Sequence, residues 1–160
     1  MSDTPLPRVK VETSEGTFVV ELWPDVAPLH TENFLRLSRE GFYAKTGFHR
    51  ILPQFVIQGG CPKGDGTGGP GWNVKAEFND RKHEKGVLSM ARSGHPDSAG
   101  SQFFVCLGRE HCQHLDKQYT AFGRVVEGIE TVDKIAATPL RDFQSGRPKN
   151  NPKIISATVL

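Results

Sequence analysis

The chain has little of what marks several protein classes. Three cysteines, Cys61, Cys106 and Cys112, are too few and too odd in number for a disulfide framework and suit a reducing compartment. No CxxC pair is present, so thiol redox chemistry lacks its usual motif. Lys plus Arg (20) and Asp plus Glu (18) nearly cancel, to +2, which leaves no basic excess for a nucleic-acid partner. No apolar run approaches the roughly 20 residues of a membrane span. The opening stretch MSDTPLPRVK has no apolar core of a secretory signal. The expected location is therefore the cytoplasm, with no membrane partner. The phosphate loop ending in Gly-Lys-Ser/Thr and the GxSxG elbow are both absent, and His83-Glu84 is not followed by the second histidine of a zincin. Gly64, Gly66 and Gly69 fit GxGxxG, but Pro70, Gly71 and a strand pattern follow where a phosphate-binding helix would open. The simpler reading is a glycine loop that turns tightly. His111, Cys112 and His114 cluster near Cys106 in a polar stretch with no second ligand pair, so neither a metal nor a cofactor is expected.

What is there describes one soluble globular unit. Hydrophobic residues make up 36% and charged residues 24% of 160 positions, enough for a core and too apolar for disorder. Residues 1–7, with two prolines, read as a flexible tail, and residues 8–160 as a single domain. Residues 8–12 and 17–22 alternate polar with apolar and form a hairpin about the turn at 13–16. Pro28 suits a first helical turn, and Ala27, Thr31, Phe34 and Leu37 recur at helical spacing up to Gly41. Residues 48–58 read as a strand interrupted by Pro53, which needs an edge or a corner. Residues 72–78 alternate clearly and predict a half-buried strand. Further strands are expected at 87–91, 102–107, 121–126 and 154–160, and a second helix over 129–136. Eight strands and two helices without regular alternation favour an antiparallel barrel or sandwich.

Two segments place polar side chains among apolar ones. In FHRILPQFVIQGG (48–60), Arg50 sits inside an apolar run, and Val56 shares a face with Gln58. In GSQFFVCL (100–107), alternation puts Gln102, Phe104 and Cys106 on one face and Phe103, Val105 and Leu107 on the other. A side-chain amide beside a large aromatic suits a peptide groove. The same pattern also suits a strand buried on both sides.

Together FHRILPQFVIQGG, GTGG (66–69), GVLSMA (86–91), GSQFF (100–104) and AFGRVVEG (121–128) resemble the cyclophilin-type peptidyl-prolyl cis-trans isomerases, in order and over residues 8–160. The small single-domain bacterial members are the nearest in kind. The resemblance implies a mainly β fold, a closed eight-stranded antiparallel β-barrel capped by two α-helices. It implies an isomerase of X–Pro bonds that assists folding, with no covalent intermediate, cofactor or metal. The alternative is a catalytically weak module that holds Pro-containing segments. Its partners would be Pro-containing peptides and unfolded or folded client proteins, met as a monomer. By position Arg50 matches the family's catalytic arginine. Phe55, Val56, Phe104 and Leu115 match the pocket for the proline ring, and Gln58 and Gln102 the amides that hold the substrate backbone and orient the arginine. Ala91 and Arg92 count as substrate-binding, Arg92 through main-chain groups. His49 matches a histidine of structural role. Val56 stands where many members have Met, which makes the pocket roomier. Arg92 replaces Asn and Ser93 replaces Ala, which puts a cation near the groove and would favour acidic residues before proline. The loop at 90–102 is one residue longer than in the best-known eukaryotic members. His114 stands where that group has a Trp that donates to cyclosporin, so weakened cyclosporin binding is expected. Tyr119 replaces a His of the same group and remains a pocket contact.

Overall fold

The computed structural model describes residues 5–160. β1 (Arg8–Thr13) and β2 (Gly16–Leu22) form the expected hairpin, with Val9 opposite Val20 and Val11 opposite Phe18. All four of these side chains are buried. β3 (Phe48–Leu52), β4 (Val56–Gly59), β5 (Val87–Met90), β6 (Phe103–Cys106), β7 (Ala121–Glu127) and β10 (Ile154–Val159) complete an eight-stranded antiparallel sheet, in the order β10-β1-β2-β7-β5-β6-β4-β3. The sheet curls until its edges nearly meet. β3 and β10 approach through the bridge Gly47–Lys153, flanked by Phe48 N–H donating to Pro152 O (2.8 Å) and Ile154 N–H to Thr46 O (2.9 Å). The ladder stops there, so a closed barrel overstates what is a curled, nearly closed sheet.

The eight strands are not the eight expected. Residues 48–58 are two strands, because the chain reverses at Pro53–Gln54, where Gln54 takes a left-handed φ of 68°. Residues 72–78 are not a strand; they make one isolated bridge, Val74 to Ala99. Their backbone donors go largely to side chains: Ala76 N–H to Asp97 Oδ1 (2.8 Å) and Glu77 N–H to Thr120 Oγ1 (3.0 Å). Along this stretch Trp72, Val74 and Ala76 are covered while Phe78 is exposed, and no neighbouring strand pairs with it. A small ribbon of β8 (Leu140–Asp142) and β9 (Arg147–Pro148) stands apart from the main sheet and was not expected.

Three α-helices are present where two were expected: α1 (Pro28–Arg39), α2 (Arg109–Cys112) and α3 (Ile129–Ala136). α2 is a single turn that runs into a 3-10 turn at Gln113–Leu115, too short to show a helical period in the sequence. α1 has Pro28 in its first turn and no cap from Ala27. Glu77 caps it from outside, accepting from Leu29 N–H (3.1 Å) and His30 N–H (2.8 Å). Phe34 of α1 enters the interior of the curl, within 5.1–5.6 Å of the rings of Tyr43, Phe103 and Phe122. Val132 and Ile135 of α3 join the same core. Residues 1–4 of the expected tail lie outside the described residues, while Pro7 is tied to β2 by Leu22 N–H donating to its carbonyl (2.8 Å). Among the described residues no helix is long and apolar enough to cross a membrane.

Candidate active site

The site grows out of strand register. Antiparallel pairing sets Arg50 of β3 against Gln58 of β4, and Gln58 against Phe104 of β6. These three residues form one row on the outer face of the sheet, because directly paired residues point to the same side. Phe103 and Val105 point into the main core, while Phe104 and Cys106 join a second apolar cluster with Val56, Leu115 and Cys112. Phe104 is only 4% exposed, so it is the floor of a pocket and not an aromatic in open water. α2 and the turn after it bring Leu115 over this outer face.

A cavity of about 100 Å³ lies above Phe104, lined by Arg50, Phe55, Val56, Gln58, Ala91, Arg92, Leu115 and Tyr119 as well. A second cavity of about 700 Å³ shares Gln58, Ala91 and Arg92 with it and extends along Gln102 and the glycine loop. Two of the expected site residues differ from the rest in place. Gln102 lines only the larger cavity, and His114 lines neither; its ring is exposed and packs on Phe55 at 5.7 Å.

The polar side of the site is a directed chain of hydrogen bonds. Gln102 Nε2 donates to the carbonyls of Gly66 (2.9 Å) and Gly68 (3.0 Å). That fixes which end of its amide faces the site, and its Oε1 accepts from Gln58 Nε2 (3.2 Å). Gln58 Oε1 in turn accepts from Arg50 Nη1 (3.3 Å). Among the described residues the other guanidinium nitrogens of Arg50 make no hydrogen bond, and the side chain lines the small cavity. Gly66 and Gly68 thus serve as carbonyl acceptors for Gln102, a role beyond that of a tight turn. The loop is cinched by Gly68 N–H on Cys61 Sγ (3.2 Å) and by Thr67 N–H (2.9 Å) and Oγ1–H (2.6 Å) on Asp65 Oδ1. Burial pushes the Cys61 thiol up, but the N–H groups of Gly68, Asp65, Lys63 and Gly66 outweigh it and hold the thiol below its ordinary range. Gly60, at φ +90°, has no room for a side chain, since a Cβ would lie 2.6 Å from Ser101 O.

Arg92 lines both cavities, and its side chain is fixed in place. Its Nε and Nη2 donate to Gln118 O (3.1 and 2.8 Å) and Nη1 to Ser93 O (3.0 Å). The guanidinium lies 4.6 Å over the Tyr119 ring, whose edge meets Phe104 at 5.7 Å. His83, which the sequence shows only as half of an incomplete zincin pair, belongs to the site. His83, fully buried, stacks beneath Phe104 at 6.2 Å and 21°. Its Nε2 lies 2.9 Å from Ser89 Oγ and its Nδ1 3.1 Å from Asp116 Oδ1, while Asp116 Oδ2 pairs with Arg109 at 2.7 Å. Burial pushes the His83 imidazole below its ordinary range, against the pull of Asp116. Its sequence neighbours are charged loop residues, so no periodic signal could have pointed to it. Of His111, Cys112 and His114, neighbours in sequence, both histidines are exposed, while Cys112 is buried with its thiol on Phe55 O (3.3 Å).

Comparison with known proteins bears on what this arrangement does. The family described as cyclophilin type peptidyl-prolyl cis-trans isomerase/CLD matches residues 8–159. A peptidyl-prolyl cis-trans isomerase of Helicobacter pylori is 45% identical over 129 residues, 78% of this chain and 77% of the relative. Peptidyl-prolyl cis-trans isomerase B of Bacillus subtilis is 50% identical over 112 residues, 69% of this chain and 76% of the relative. Human peptidyl-prolyl cis-trans isomerase-like 1 is 43% identical over 157 residues, 94% of this chain and 91% of the relative. The crystal structure of a cyclophilin type isomerase from Cryptosporidium parvum superposes with a TM-score of 0.90 at 32% identity, over 97% of this chain and 98% of that one. The chain belongs to the cyclophilin-type peptidyl-prolyl cis-trans isomerases.

Proposed function

We propose that this isomerase seats the proline ring over Phe104 and rotates the X–Pro bond while Arg50 donates to the prolyl nitrogen. The barrier, near 20 kcal/mol, is the resonance of the planar amide. Twisting the bond breaks that resonance and returns a lone pair to nitrogen, which then accepts a hydrogen bond far better than in the planar state. A charged donor held at that position stabilises the twisted state selectively, and each ~1.4 kcal/mol so gained is tenfold in rate. No bond to the enzyme forms, so no nucleophile or metal takes part. Phe55, Val56, Leu115 and Tyr119 exclude water around the ring, and Gln58 and Gln102 hold Arg50 in aim.

The observation that carries this reading is the hydrogen-bond chain from the glycine loop through Gln102 and Gln58 to Arg50, ending beside an apolar pocket. The Cryptosporidium relative, 32% identical with a TM-score of 0.88 in this form, has also been crystallised in the presence of the dipeptide Ala-Pro. The test is cis–trans exchange in an Ala-Pro tetrapeptide, with wild type beside Arg50→Ala. The variant should lose at least ~100-fold in turnover while staying folded, about 3 kcal/mol of transition-state stabilisation. Wild type that binds the peptide without accelerating exchange would instead be a proline-binding module.

Residues 8–160 are taken as a single isomerase domain. The proposed partners are Pro-containing segments of unfolded or folded client proteins, met by a monomer in the cytoplasm. The exposed large apolar side chains, such as Leu29, Phe78, Phe143 and Ile155, come from separate segments of the chain. Sedimentation at one chain mass is the expected result. Cyclosporin should inhibit weakly, since His114 replaces the indole donor and lies outside the cavity lining. Inhibition in the sub-micromolar range would overturn that expectation.

A further inference from the structure

We infer that the larger cavity is a subsite for an acidic side chain of the substrate peptide, placed beside the proline. This deepens the isomerase reading of the small cavity and rests on it. The two cavities are adjacent and share Gln58, Ala91 and Arg92 in their linings. A peptide with its proline ring over Phe104 therefore lays a neighbouring side chain into the larger space, which at about 700 Å³ accepts any residue.

The charge of that space is one-sided. Its lining holds two cations, Lys63 and Arg92, and no carboxylate. Arg50, which lines the small cavity and bonds the shared Gln58, adds a third positive charge beside it. Among the described residues none of these three cations makes an ion pair, although ten such pairs occur elsewhere in the structure. The hydrogen bonds of Arg92 go to the neutral carbonyls of Gln118 and Ser93, which fix the guanidinium without cancelling its charge. Asp65, held by Thr67 outside the cavity lining, acts on Lys63 and offsets part of its charge, so Arg92 and Arg50 carry most of the positive potential. The Ser93 hydroxyl adds a donor to this lining, while the Thr67 and Ser98 hydroxyls donate to Asp65 and to His95 O, and the charged lining is unsuited to an apolar side chain. In a molecule of net charge +2 this is a local concentration of positive potential at the mouth of the groove, where it also steers encounter.

The test is a set of Xaa-Pro peptides carrying Glu, Ala or Lys at each of the three positions before proline and the two after it, with exchange followed by NMR. At one of these positions kcat/KM should rank Glu above Ala above Lys. The Glu-to-Lys ratio should be about tenfold at low salt and shrink several-fold at 0.5 M salt, as partly exposed charges are screened. Lys63→Gln should reduce that ratio, and Lys63→Glu should reduce it further or invert it. Comparing peptides within one variant makes the ratio independent of any change in folding or basal rate. A Glu-to-Lys ratio near one at every position, or a ratio untouched by Lys63→Glu, overturns the subsite. Failure of wild type to accelerate even the Ala peptide would overturn the isomerase mechanism itself, which is a separate outcome.

Discussion

Arg50 does not hold its own aim. Its guanidinium is oriented by Gln58, and Gln58 by Gln102, whose amide is locked by two glycine carbonyls. Links of one chain act as a unit, so their removal is not additive. Gln58→Ala and Gln102→Ala should each lower kcat/KM by roughly tenfold, and the double variant little more than either alone. A product of the two losses in the double variant would show that they act separately. His83 belongs to the same scale. Removing its ring takes away the support beneath Phe104 and leaves Ser89 without a partner. His83→Ala should cost about 2–4 kcal/mol in urea unfolding and raise KM more than it lowers kcat. An unchanged KM would mean that Phe104 holds its place without the stack.

At the scale of elements, residues 72–78 show how an extended segment can serve without joining a sheet. Its bonds reach α1, the loop residues Asp97 and Ala99, and Thr120 just ahead of β7, and Glu77 supplies the cap that α1 lacks in its own sequence. Glu77→Ala should destabilise the fold by about 1–2 kcal/mol through the loss of that cap. Glu77→Gln, which keeps one acceptor, should lose less. Thermal unfolding of both variants measures this, and equal loss would assign the effect to the His30 contact instead. The split of residues 48–58 into two strands has a functional consequence. Reversal at Pro53–Gln54 folds β4 back on β3, and that is what sets Gln58 beside Arg50.

For the whole molecule the buried histidines govern the acid response. His30, His49 and His83 are 1%, 5% and 0% exposed. Burial is the largest cause that pushes each imidazole below its ordinary range, joined at His49 by Arg147 and Arg50. As pH falls through 6.5 the unfolded chain takes up protons that these folded imidazoles refuse. The unfolded state then binds more protons, so stability falls with pH. The urea midpoint should therefore drop between pH 7.5 and pH 5.5, well before Asp116, held low chiefly by His83 N–H and Arg109 against burial, begins to protonate. A midpoint that is constant or higher at pH 5.5 would reject this account.

The sequence by itself determined the β-rich antiparallel class, the two longer helices and the faces of β6. Alternation and helical spacing are local consequences of which side chains meet water. Resemblance over several ordered motifs added the family and the residues around the small cavity. Tertiary structure decided the rest. Alternation at 72–78 could not reveal whether a partner strand lay alongside, because pairing is a long-range property. The near-closure of the sheet rests on a few bonds between residues some hundred positions apart. The support of Phe104 by His83, and the meeting of Lys63 with Arg92 across one cavity, join loops whose local composition is merely polar. Such contacts are set by how the sheet curls, and no local pattern encodes them.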